Sequence, residues 1–191
     1  TNHHVINGAK KIAVRNGIGI VQKAKVAAFS KKYDLAILEL EIPYNKKFSI
    51  NSKEFEAPKT GDDVISIGYP GIGMTYDLPT ITEGIISKVF NDDFGLFFTT
   101  AAINSGNSGG PIFNLNGKLV GVSVAALDKE EWKKETGELP TDMGMAIKSN
   151  LIKTVFKFQK SIPVKSVKFD KVTIYEKMLP SVTLIAVLVD E

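Results

Sequence analysis

From Lys11 to about residue 147 the chain alternates short apolar stretches with clusters of Gly, Asn, Asp and Lys. Lys11 to Arg15, Ile18 to Phe29, Asp34 to Leu40, Val64 to Gly68, Thr80 to Phe90, Leu96 to Thr100 and Leu119 to Ala125 are rich in β-branched residues and bounded by turn formers. Each predicts a strand. Many short strands separated by frequent turns argue for an all-β barrel or sandwich. Gly71 to Pro79, with its glycines and its proline, marks a link between two halves.

The period changes at Ser149. Leu151, Val155 and Phe158, with Ile152 and Phe156 alongside, recur at helical spacing, and Ser149 or Asn150 is placed to cap the first turn. Pro163 sets the latest point at which such a helix stops. Beyond it, Val164 to Tyr175 and Val182 to Val189 read as two further strands joined around Pro180, a strand-rich tail over 161–191 with no function attached.

Length and composition narrow the class. A chain of 191 residues suits one compact unit of two small layers or barrels, and 43% hydrophobic content is ordinary for a globular protein. The 24 basic and 21 acidic residues leave a net charge of only +3, with lysines scattered and no aromatic interleaving, so nucleic-acid binding is not indicated. There is no cysteine, which excludes disulfides, thiol catalysis and cysteine metal sites. Val182 to Val189 is too short to span a bilayer. No secretory signal is visible and the sequence opens on Thr1 rather than Met, which reads as a cut or processed end.

The candidate chemistry centres on Asn104-Ser105-Gly106-Asn107-Ser108-Gly109-Gly110-Pro111, where Ser108 sits among turn-forming glycines. A serine hydroxyl is a weak nucleophile and needs a neutral imidazole to take its proton. The two histidines, His3 and His4, lie together in Thr1-Asn2-His3-His4-Val5. An imidazole that must hold one tautomer calls for a carboxylate, and Asp34 leads directly into the apolar run Leu35 to Leu40. Asp62, Asp63, Asp92 and Asp93 compete for that role but read as exposed turn residues.

These segments together resemble the HtrA (Deg) branch of the chymotrypsin-like serine proteases: Thr-Asn-x-His-Val around the base, the acid at a strand start, and Gly-Asn-Ser-Gly-Gly at the nucleophile, in the order His4, Asp34, Ser108. Subtilisins and α/β-hydrolases run in other orders. The resemblance covers residues 1–160. It implies two six-stranded antiparallel β-barrels with a C-terminal helix, barrel one to about residue 75, barrel two over about 80–147 and the helix over about 149–160. It also implies a serine endopeptidase acting on proteins or peptides without a cofactor or metal.

By the same resemblance His4 is the general base, Asp34 its orienter and Ser108 the nucleophile. The oxyanion hole falls on the N–H groups of Gly106 and Ser108, with Asn107 between them. The substrate pocket falls on Ala102, Ile103, Met143 and Met145, within the stretch Asp142 to Ala146. An uncharged pocket should reject lysine and arginine, because an unpaired buried cation is costly, so aliphatic P1 residues are expected. The charged excursion Leu127 to Pro140 reads as a solvated loop, with Trp132 as its substrate-facing candidate. Location outside the cytoplasm and a homo-oligomeric state are family traits, although trimerisation through an N-terminal segment, usual in the family, is not carried over to this sequence. In the family, strands that complete the first barrel precede the base segment, whereas here nothing precedes Thr1; either those strands lie outside this sequence or another segment replaces them, with residues 164–191 a candidate if they pair with the first barrel. A catalytically silent binding or chaperone-like module is the competing class. A glutamyl endopeptidase would need a basic group before Ser108, where none stands.

Overall fold

The computed structural model describes residues 1–43, 55–70, 78–91, 95–124, 143–156 and 168–189. A short helix α1 (His3–Ile6) leads into β1 (Lys11–Asn16), β2 (Val21–Ser30) and β3 (Leu35–Leu40). These form an antiparallel sheet in the order β10-β1-β2-β3, in which β10 (Thr183–Leu188) comes from the far end of the chain. Strands β4 (Asp63–Gly68), β5 (Thr80–Val89), β6 (Leu96–Thr99), β7 (Pro111–Asn114), β8 (Leu119–Val124) and β9 (Gly144–Lys148) close into a six-stranded barrel in the order β4-β5-β6-β9-β8-β7. The helices α2 (Ser149–Val155) and α3 (Lys171–Met178) pack outside it.

The alternation of each strand fixes which face is buried. In β1, Ile12, Val14 and Asn16 turn inward, and Ile12 and Val14 meet Ala24, Ala36 and the aliphatics of β3. The barrel is filled by Val64, Ile86, Phe97, Ala101, Ile112, Val120 and Ala146, all fully or almost fully buried. Burial of each large side chain among them contributes roughly 1.5–3 kcal/mol. Gly121 faces the Phe97 ring so closely that no side chain fits there.

Several expectations need correction. Among the described residues the second unit closes into a barrel, while the first is a four-stranded sheet. Val164 to Tyr175 is not a strand where it is described. Asp170 caps a helix there by accepting the Thr173 N–H at 2.9 Å, and Ile174 is buried against Ile65, Ile67 and Phe113. A local cap and one buried contact outweigh the β-branched composition. Ser149 does not cap α2, because its hydroxyl donates to the Glu56 carbonyl at 2.7 Å. Ile18 to Ile20 form the turn before β2 rather than its start. Strand β7 was not foreseen from the sequence.

The tail makes one long connection. β10 pairs antiparallel with β1 along its length, from Lys11 opposite Leu188 to Asn16 opposite Thr183. Among the described residues no helix is long and apolar enough to cross a membrane.

Candidate active site

The base segment and the acid meet at one end of the first sheet. Asp34 Oδ2 lies 2.7 Å from His4 Nδ1, while Asp34 Oδ1 accepts the His4 backbone N–H at 2.8 Å. One carboxylate therefore fixes both the ring and the backbone that carries it. Asp34 adopts φ +48°, a left-handed conformation that non-glycine residues seldom take. Its carbonyl accepts the His3 N–H at 3.1 Å and the buried Asn2 side-chain amide at 3.0 Å. These bonds hold the acid in a turn it would not choose alone.

The nucleophile loop is fixed by its own hydrogen bonds. Asn107 N–H donates to Asn104 carbonyl and Gly110 N–H to Asn107 carbonyl, each at 2.9 Å, and Gly106 and Gly109 take positive φ values of 92° and 81°. The loop is then tied to β8 through Ser123. Gly109 N–H reaches the Ser123 carbonyl, Ser123 N–H reaches the Gly110 carbonyl, and the fully buried Ser123 hydroxyl donates to the Asn107 carbonyl with the Gly110 carbonyl 3.0 Å away. Asn107 is buried, its side chain against Gly68.

The two halves touch at Gly109. A Cβ there would strike the Thr1 hydroxyl and would lie 2.8 Å from Thr1 Cα and 2.9 Å from Asn2 N. The loop that carries Ser108 thus rests directly on the segment that carries His4. Both residues line one cleft of about 1080 Å³, whose walls include Gly106, Gly109, Leu35, Val122 and Val182.

The expected site residues divide accordingly. His4 and Asp34 are in contact, and Ser108 shares their cleft. In the expected oxyanion hole, the Asn107 N–H is committed to the Asn104 carbonyl. The expected substrate-pocket residues do not line this cleft. Met145 is buried in β9 opposite Phe98 and Val124, Ile103 packs against the barrel core beside Gly144, and Ala102 and Met143 are exposed, Met143 sulfur meeting the Ser87 hydroxyl at 3.5 Å. Asp142, Trp132 and the charged excursion around it lie outside the described residues.

Two supporting residues escaped the sequence reading. Asn2 stood inside the base motif but without a partner to suggest its role. Ser123 is one hydroxyl in a run of valines, and its partners lie across the barrel.

Comparison with known proteins gives a consistent set. The trypsin-like peptidase domain family matches residues 1–122. The periplasmic pH-dependent serine endoprotease DegQ of Escherichia coli K12 is 33% identical over 162 residues, which is 81% of this chain and 33% of that protein. The serine protease Do-like HtrA of Bacillus subtilis 168 is 32% identical over 166 residues, covering 81% of this chain and 34% of its own. Among solved structures, the serine endoprotease from Yersinia pestis superposes with a TM-score of 0.64 at 34% identity over 82% of this chain and 51% of that one. The HtrA-type protease AlgW with decapeptide gives a TM-score of 0.63 at 29% identity over 82% and 46%. The chain spans about a third of the length of the curated relatives it matches.

Proposed function

The chain belongs to the trypsin-like peptidase family, in its HtrA (Deg) branch, and from that membership we propose that it is a serine endopeptidase whose reaction runs through Ser108, His4 and Asp34. The double contact between Asp34 and His4, in the same cleft as Ser108, is the observation that carries this reading. Ser108 Oγ attacks the substrate carbonyl carbon while its proton passes to His4 Nε2. The tetrahedral oxyanion is met by the N–H groups of Gly106 and Ser108, and donors already aimed at that charge supply much of the rate enhancement. His4 then gives its proton to the departing amine, which leaves an acyl ester on Ser108. Water, deprotonated by His4, hydrolyses that ester and restores the serine. Asp34 keeps Nδ1 protonated throughout and offsets the charge of the imidazolium. No cofactor takes part.

In this reading the substrates are polypeptides and the protease unit occupies residues 1–160, braced by the segment that contains α3 and β10. The relatives named as periplasmic support a location outside the cytoplasm. Aliphatic P1 residues are preferred, a choice supported by the apolar side chains of Leu35, Val122 and Val182 in the wall of the cleft that His4 and Ser108 share.

Fluorophosphonate labelling tests the reading. Modification mapped to Ser108 and abolished in Ser108→Ala is the expected result. Well-folded protein that takes no label would overturn it and identify a silent protease-fold module. Cleavage after Lys or Arg in a peptide-library profile would overturn the P1 preference alone.

A further inference from the structure

The turn between β1 and β2 presents apolar side chains to solvent on a backbone whose donors are already satisfied. Ile18, Ile20 and Val21 are 49%, 44% and 64% exposed. Clustered aliphatic exposure at a hairpin tip needs an explanation that single exposed residues do not. The fully buried Asn16 organises this tip. Its Oδ1 accepts the N–H of Ile18 at 3.3 Å and of Ile20 at 2.8 Å, its carbonyl accepts Gly19 N–H at 2.9 Å, and its amide donates to the Pro180 carbonyl. Gly17 N–H is bonded to the Leu179 and Val182 carbonyls. Every backbone N–H from Gly17 to Ile20 therefore has an acceptor within the protein. Such a tip enters an apolar medium without stranding a donor, which is the main barrier to placing backbone in lipid.

The sheet behind the tip carries the complementary charge. On its outer face, Leu188 lies opposite Lys11, Ala186 and Lys23 flank Ala13, and Leu184 and Val21 flank Arg15. Lys25 follows on β2, opposite Glu39, the acid on this face among the described residues of these four strands. Lys11, Lys23, Lys25, Leu184 and Leu188 are exposed. Basic and aliphatic side chains thus interleave across one surface that ends in an apolar tip.

We propose that the Asn16–Val21 tip and this outer sheet face form a peripheral membrane-binding surface for an anionic lipid bilayer. Three lysines to one arginine, set among aliphatics with no Trp or Tyr on these four strands, differ from the aromatic-rich anchors of protein interfaces, where lysine is depleted. Single-stranded nucleic acid would call for aromatic stacking platforms. A second copy would bring like charges face to face. Anionic lipid headgroups satisfy the lysines, and the acyl boundary takes Ile18, Ile20 and Val21.

Cosedimentation tests this with vesicles of phosphatidylcholine alone and of phosphatidylcholine mixed with phosphatidylglycerol. The wild-type chain is expected to bind the mixed vesicles and to release in high salt. The exposed double variant I18S/I20S should fold normally and bind about tenfold or more weakly. K23E/K25E should lose most of the preference for anionic vesicles, since each lysine near such a surface is worth about fivefold in binding. Absence of wild-type binding, or equal binding by I18S/I20S, overturns the proposal. So does a fall in oligomeric size in I18S/I20S without a change in vesicle binding, which would assign the tip to contact between copies.

Discussion

Asp34 reaches His4 twice with one carboxylate, Oδ2 at 2.7 Å from the ring Nδ1 and Oδ1 at 2.8 Å from the backbone nitrogen. Replacement by asparagine separates the two contacts. In Asp34→Asn the amide oxygen keeps the backbone bond while the amide nitrogen faces Nδ1 and enforces the wrong tautomer. The expected outcome is a loss of kcat of about 10,000-fold with a small change in melting temperature. Asp34→Ala, which loses both contacts, should lose comparable activity and melt lower. Equal turnover by wild type and Asp34→Asn would remove Asp34 from the mechanism.

Ser123 acts through the nucleophile loop. Its hydroxyl donates to the Asn107 carbonyl, which keeps only the Gly110 N–H once that donor is removed, so the loss is one buried hydrogen bond of about 0.5–1.5 kcal/mol. Ser123→Ala should therefore destabilise the chain and slow fluorophosphonate labelling of Ser108, with a fall in kcat and little change in KM. A purely structural role predicts lower stability with an unchanged labelling rate in the fraction that remains folded.

Gly109→Ala and Gly109→Asn separate backbone strain from collision. Asparagine tolerates positive φ better than alanine, yet both bring a Cβ into the Thr1 hydroxyl. If contact between the two halves governs activity, both variants lose labelling to a similar extent. Rescue by asparagine would assign the effect to φ alone.

The cap of α3 gives a pH dependence of known sign. Hydrogen bonds from the Thr173 side chain and backbone hold the Asp170 carboxyl below the usual aspartate range. A group with a depressed folded pKa stabilises above its unfolded value, and that contribution disappears as pH falls through the folded value. Wild type should melt above Asp170→Ala at neutral pH, and the gap should close in acid. A gap that persists at the lowest pH would mean that the carboxylate charge is not what stabilises the helix.

How much of this was legible in the sequence depends on how local each cause is. His4, Asp34 and Ser108 stood out because the proposed chemistry restricts residue type and the motifs keep those residues in recognisable company. The strands with long β-branched runs were equally plain. The segment Lys171-Val172-Thr173-Ile174-Tyr175 misled because composition favours a strand, while Asp170 and the burial of Ile174 decide for a helix. Ile18 and Ile20 read as strand residues because the cause of the turn, the Asn16 side chain, is invisible in hydrophobic patterning. β7 was missed because it is four residues long and begins with proline. Ser123 depends on contacts across a barrel, which no local pattern encodes.

The pairing of Lys11 with Leu188 also sets a timetable for synthesis. A ribosome delivers the N-terminal end first, so β1 waits without its β10 partner until residues 183–188 have emerged, and pairings of such sequence separation form slowly. Val182 to Ile185 also line the cleft shared by His4 and Ser108. A nascent chain that stops short of Thr183 should therefore carry His4, Asp34 and Ser108 and still fail to label at Ser108, and adding the β10 segment as a separate peptide should restore labelling. On this schedule the proposed hydrolytic competence arrives only after β10 has been translated, so a copy that has not reached that strand poses little proteolytic hazard to the cell that makes it.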